Sequence, residues 1–154
     1  MGLDMYLHGL DDEDIPTFKK AKKLIQESDG GRYTDEIRDL LDNFWEKEGE
    51  ELAYWRKANA IHKFFCDCGE EIDKSIYYII TREDIGQLLH RCIQVLIVKD
   101  EDYSNCNLPT ESGFFFGSVE YDDYYYYQLQ DTIEQLTKIL KEYDNDKFLY
   151  YASW

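Results

Sequence analysis

A chain of 154 residues with 44% hydrophobic content can bury one core and is short for two, so a single domain spanning 1–154 is expected. The formal charge of −16, from 17 basic and 33 acidic residues, disfavours direct nucleic-acid binding at any surface without a basic patch and favours a basic protein partner. No run of about 18 apolar residues occurs and Met1–His8 has no secretory signal, which predicts no membrane span and four reduced cysteines in a cytoplasm.

Gly2 to His8 alternates, with Leu3, Met5 and Leu7 on one side, which predicts a strand. Asp11-Asp12-Glu13-Asp14 precedes a helix that has Pro16 in its first turn and Asp14 near its N-cap. Phe18, Ala21, Leu24 and Ile25 form its apolar stripe, opposite Lys19, Lys20, Lys22 and Lys23. Ser28 to Gly31 ends that helix. Thr34 caps a second one carrying Ile37, Leu40, Leu41, Phe44 and Trp45, and Glu46 to Gly49 is a polar break.

Glu50 to Phe65 reads as the central helix. At about 100° per residue, Tyr54, Ala58, Ile61 and Phe65 share an apolar stripe, with Trp55, Asn59, His62 and Cys66 along its flank. Cys66 to Glu71 reads as a loop, and Ile76 to Ile80 as a strand. Thr81 caps a further helix with Glu83 and Asp84 in its first turn and a stripe of Ile85, Leu88, Leu89, Cys92 and Leu96. Lys99 to Asn107 is polar, an expected exposed loop.

Leu108 to Ser118 holds three phenylalanines between glycines and reads as a turn with a short, tightly packed extended piece. The last helix follows Tyr121-Asp122-Asp123 and buries Tyr125, Leu129, Thr132, Ile133, Leu136, Ile139, Leu140 and Tyr143. Asp144 to Asp146 ends it, and Phe148 to Trp154 is a terminal strand. The fold class is therefore α+β, mainly helical, with a small antiparallel sheet pairing the N- and C-terminal strands.

Catalytic residues do not emerge from this pattern. There is no phosphate loop, no GxSxG elbow and no HExxH. Cys66-Asp67-Cys68 has the wrong spacing for a zinc pair, and Cys66 lies at a helix C-terminus, where the dipole opposes a thiolate. Neither a metal nor a cofactor is expected.

Two binding surfaces stand out. Trp55, Arg56, Asn59 and His62 could together hold a nucleotide or small anion, with Trp55 as a stacking surface. The competing reading has Asn59 and His62 cap loop backbone beneath Phe114–Phe116 while Arg56 pairs with a surface acid. The second surface is Glu120, Asp122, Asp123, Tyr124 and Tyr127, where acid and outward-facing rings combine as in protein interfaces.

Met1-Gly2-Leu3-Asp4-Met5-Tyr6-Leu7, Tyr54-Trp55-Arg56-Lys57-Ala58-Asn59-Ala60-Ile61-His62, and Leu108-Pro109-Thr110 with Ser112-Gly113-Phe114-Phe115-Phe116-Gly117-Ser118 together resemble a family of small uncharacterised phage and bacterial proteins. Tyr121-Asp122 and the ending Tyr150-Tyr151-Ala152-Ser153-Trp154 are similar too. The resemblance implies a phage or prophage setting in the host cytoplasm and transfers no catalytic residues. With the charge, it gives the expectation of an accessory protein that binds a basic partner, in its concrete form a host defence nuclease inhibited by nucleic-acid mimicry. The alternatives are a small-ligand protein or enzyme using Trp55, Arg56, Asn59 and His62, and an oligomeric structural protein.

Overall fold

The structure is a computed structural model that describes residues 2–47, 50–74 and 76–154; side chains 45–47 also fall outside the description. The expected place of Trp45 in a helix stripe, and the end of the break at Gly49, lie outside the described residues. In chain order the elements are β1 (Asp4–Leu10), α1 (Ile15–Glu27), α2 (Asp35–Lys47), β2 (Glu51–Arg56), α3 (Asn59–Cys68), β3 (Glu70–Asp73), β4 (Tyr77–Thr81), α4 (Arg82–Val98), α5 (Glu101–Asn107), α6 (Asp123–Glu142) and β5 (Lys147–Ser153). The class is α+β, with a five-stranded sheet in the order β2-β1-β5-β4-β3. Its ladders are all antiparallel.

The two terminal strands meet along their whole length, from Asp4 opposite Ser153 to Leu10 opposite Lys147. β5 is the central strand, with β1 on one side and β4 on the other. Both its faces are covered, and Phe148, Leu149 and Tyr150 are buried in succession. A strand covered on both faces reads as a continuous apolar run instead of an alternating one.

Helices cover the sheet on both sides. On one face Leu3, Met5, Leu7, Trp55, Ile80 and Tyr150 pack with α3, α4 and α6 through residues such as Phe65, Leu88 and Leu136. On the other, Leu10, Ile79 and Leu149 pack with Phe18 and Ala21 of α1 and with Ile37, Leu41 and Phe44 of α2. α4 starts on a capping box: Thr81 Oγ1 accepts from Asp84 N at 3.1 Å, and Asp84 Oδ2 accepts from Thr81 N at 3.0 Å. Arg82 then reaches the end of α6, donating to the carbonyls of Leu140 at 2.6 Å and Tyr143 at 2.7 Å. These are carbonyls that a helix end leaves without partners of its own.

β2 is an edge strand, and an edge exposes a row of pairing groups that invites other chains. α6 closes part of this one with side chains. Gln135 both accepts from Tyr54 N and donates to Tyr54 O, each at 2.9 Å, while Gln128 donates to Lys57 O at 3.1 Å. Gln135→Ala is expected to cost about 1 kcal/mol, a fall in Tm of about 2–4 °C at this size, and to increase self-association. Thermal melts with light scattering measure both; an unchanged melt and scattering profile would remove Gln135 from this role.

The sequence expectation fails in four places. Residues 50–56 are not helical: Ala53 and Trp55 point into the core and Tyr54 and Arg56 outward, a strand's alternation. The chain breaks at Lys57, whose φ is 54°, and only then enters α3. Cys66 to Cys68 complete α3, and β3 follows at Glu70 where a loop was expected. Lys99 to Asn107 is a turn and a short helix, α5, capped by Asp100. Phe114–Phe116 is not tightly packed: Phe114 is 79% and Phe115 41% exposed, and only Phe116 is buried.

Candidate functional site

α6 and the β2 edge together build an aromatic, acidic surface. Asp122 caps α6, its Oδ1 accepting from Tyr125 N at 3.0 Å, and this fixes the helix phase. Tyr125 and Leu129 then turn inward, while Tyr124 and Tyr127, three residues apart, turn outward as neighbours on the solvent side. The two outward rings stack at 6.4 Å with 18° between their planes, and they are 50% and 65% exposed. Tyr124 Oη also donates to Arg56 O at 3.3 Å, tethering its ring to β2.

Glu120, Asp122 and Asp123 are exposed at the start of this surface. Between α6 and β2 runs a cleft of about 190 Å³ lined by Tyr54, Trp55, Arg56, Ala58, Tyr124, Tyr127, Gln128 and Asp131. The five residues expected to bind a partner therefore sit in one region.

Trp55, Arg56, Asn59 and His62 divide between different surroundings. Trp55 is buried and donates from Nε1 to Thr132 Oγ1 of α6 at 2.9 Å. Arg56 is exposed, its Nη1 3.5 Å from Asp4 Oδ1. Such an exposed pair contributes little. Asn59 and His62 turn instead towards Phe116.

Asn59 is occupied by backbone. Its Nδ2 donates to Phe116 O at 3.0 Å and Ser118 O at 2.9 Å, and its Oδ1 accepts from Glu111 N at 3.1 Å. One buried amide thus pins both ends of the loop between α5 and α6. The loop needs holding, because Phe115 has φ 66° and Gly117 φ 86°. A left-handed non-glycine residue persists only where its surroundings over-determine it.

His62 is 2% exposed, with Nδ1 2.6 Å from Tyr150 Oη and Nε2 3.5 Å from Cys66 Sγ. Tyr150 O–H donating to Nδ1 leaves Nε2–H facing the sulfur, which satisfies all three groups with a neutral imidazole. Burial pushes the imidazole down to about 4 and the Cys66 thiol up to about 11, so both are uncharged at neutral pH. The rings of Phe116 and Trp154 stand edge-on to His62 at 5.2 and 5.8 Å. Cys92 is buried in the core and Cys106 is exposed on α5, so neither joins His62 and Cys66.

Sequence reasoning missed a ladder of tyrosines across four strands. Tyr54, Tyr6, Tyr151 and Tyr77 lie opposite one another in register, with ring centroids 5.3, 5.7 and 4.9 Å apart. Tyr54 Oη donates to Asp4 Oδ1 at 2.5 Å. The alternation of Tyr54 and Arg56 against Ala53 and Trp55 was the available signal.

No family model matches the chain, and no curated protein or solved structure is detectably similar to it.

Proposed function

We propose that the chain acts by binding a basic protein through Glu120, Asp122, Asp123, Tyr124 and Tyr127, as a phage-type accessory protein. The observation that carries this reading is the pair of stacked, exposed tyrosines beside three exposed acids. Two solvent-facing rings held by stacking and a hydroxyl bond lose little freedom on binding, which is what makes tyrosine effective at interfaces. At about 190 Å³ the adjoining cleft is smaller than pockets for drug-sized ligands, about 300–1,000 Å³, and suits one side chain of a partner. Its tyrosine rings and the Asp131 carboxylate suit an arginine or lysine, with the Arg56 of its lining paired to Asp4.

The more specific form is mimicry of nucleic acid against a host defence nuclease. A separate acidic face, on α2 across the sheet from the tyrosine surface, adds to it: Asp35, Glu36, Asp39 and Asp42 are all exposed, with Arg38 exposed among them. At about 1.5 Å rise per residue they span about 10 Å, roughly one charge per 3 Å, close to the one per 3.4 Å of a DNA strand. Lys20 lies 3.5 Å from Glu36 and offsets one of these charges.

The test uses a basic nuclease captured from bacterial lysate on the immobilised chain and then purified. Its affinity is expected to fall at least about tenfold between about 50 and 200 mM salt, and duplex DNA should compete. Tyr124→Ala with Tyr127→Ala should weaken it by about 10- to 100-fold with the fold intact. A complex indifferent to salt, DNA and both substitutions would sink the reading.

A further inference from the structure

The turn from β1 into α1 brings carboxylates together without a cation beside them. One carboxylate oxygen from each of Asp11, Glu13 and Asp14 lies within 4.8 Å of the others. Among the described residues none of the three takes part in an ion pair. Asp11 Oδ1 has Asn145 Nδ2 at 3.5 Å, the limit of a hydrogen bond. Asp11 and Glu13 are exposed, so water alone could serve them.

Asp14 cannot be accounted for in that way. It is 7% exposed, and its Oδ2 is buried with no hydrogen-bond partner among the described residues. It occupies the N-cap position of α1 but makes no side-chain capping bond. The reason lies in the helix start. A capping carboxylate accepts from the second or third helical N–H. The second residue is Pro16, which has none, and the third, Thr17, donates to the Asp14 carbonyl at 3.1 Å. The Asp14 carboxylate is thus left over from the capping arrangement, buried, and aimed at two like charges.

A buried carboxylate without a partner is disfavoured, and neighbouring like charges add to that. A bound cation removes both penalties. We infer that Asp11, Glu13 and Asp14 form a divalent-cation site for a hard, oxygen-seeking ion of the Ca²⁺ class. Oxygens at about 2.3–2.6 Å from Ca²⁺ lie no more than about 5 Å apart across the ion, which accommodates the observed spread. Water completes the coordination from the exposed side. The site is separate from the tyrosine surface and does not rest on the proposed function.

Calorimetric titration of the whole chain with CaCl₂ tests the site. It is run at about 0.1 M salt, where the Debye length is about 10 Å and diffuse attraction by the net charge is screened. One saturable site is expected, together with a higher Tm in Ca²⁺ than in chelator. Asp14→Asn should weaken binding at least tenfold. Glu13→Gln, an exposed change that leaves the buried position alone, should do the same. Glu134→Gln, an equal charge loss on the exposed face of α6, should leave binding intact. The inference is overturned by the absence of saturable Ca²⁺ binding, or by binding that survives in both site variants.

Discussion

Acidification from pH 7 to pH 4 is expected to remove about 3 kcal/mol of stability through His62 alone. Burial holds its imidazole at about 4 in the folded chain, against 6.5 for the free side chain. At about 1.4 kcal/mol per tenfold in proton affinity, that gap sets the magnitude. Because the folded state binds the proton less readily, this contribution is fully present above about pH 6.5. It falls away as the pH drops towards 4 and is lost below that. Buried His8, also lowered by burial, acts in the same direction. Protonating carboxylates in a chain of charge −16 relieves repulsion and works the other way. The effect of His62 is therefore isolated by difference. His62→Gln removes the titrating group and keeps an acceptor for Tyr150 Oη. Urea midpoints at closely spaced pH values should show a flatter acid limb for the variant, and identical slopes would remove His62 from this role.

The parts of the fold that could be read from sequence are those where one period dominates. Leu3, Met5 and Leu7 have no helical alternative, and all three are fully buried on one face of β1 and its approach. Tyr125, Leu129, Thr132, Leu136 and Ile139 recur every three or four residues, and all five are buried on α6. Between Ala53 and Phe65 two periods overlap. Tyr54, Ala58, Ile61 and Phe65 fit a helix, while Ala53 and Trp55 against Tyr54 and Arg56 fit a strand. The boundary falls at Lys57, a left-handed residue with neither glycine nor proline to announce it. A helical wheel drawn across that boundary put Trp55 and His62 on one flank, whereas Trp55 meets α6 and His62 meets Tyr150.

Elsewhere the deciding partner is remote in sequence. α5 buries only Ser104 among its seven residues, so no apolar stripe marked it, and its local signal was Asp100 as cap. β3 is acidic, with Glu70 and Glu71 exposed, and is a strand because β4 pairs with it. At the candidate site, the outward direction of Tyr124 and Tyr127 followed from helix geometry. Gln128 and Gln135 did not stand out, because a glutamine facing a strand edge has the same sequence signature as one facing water.

Replacing Asn59 by alanine is expected to destabilise the protein by about 3 kcal/mol, a loss of roughly 6–12 °C in Tm. Three bonds disappear together: those to the carbonyls of Phe116 and Ser118 and that from the Glu111 amide. Each is worth about 1 kcal/mol, and the buried carbonyl of Phe116 has no water to replace the amide. The effect reaches the backbone, because Phe115 and Lys57 both sit at positive φ. Leu3 links these two strained residues, accepting from Lys57 N at 2.7 Å and donating to Phe115 O at 3.0 Å. Without Asn59, the Phe115 turn is held at fewer points, and relaxation of its strain of about 1–3 kcal/mol offsets part of the cost. Asn59→Asp separates the contributions. It keeps the acceptor for Glu111 N but loses both donors and turns a carboxylate towards two carbonyls, so it should destabilise at least as much as alanine. Hydrogen exchange at Glu111 N–H then distinguishes them: exchange should accelerate sharply in the alanine variant and less in the aspartate variant. A cost below about 1 kcal/mol for Asn59→Ala would mean that Phe116 packing and the loop's other hydrogen bonds, such as Leu3 N to Phe115 O, hold it without Asn59.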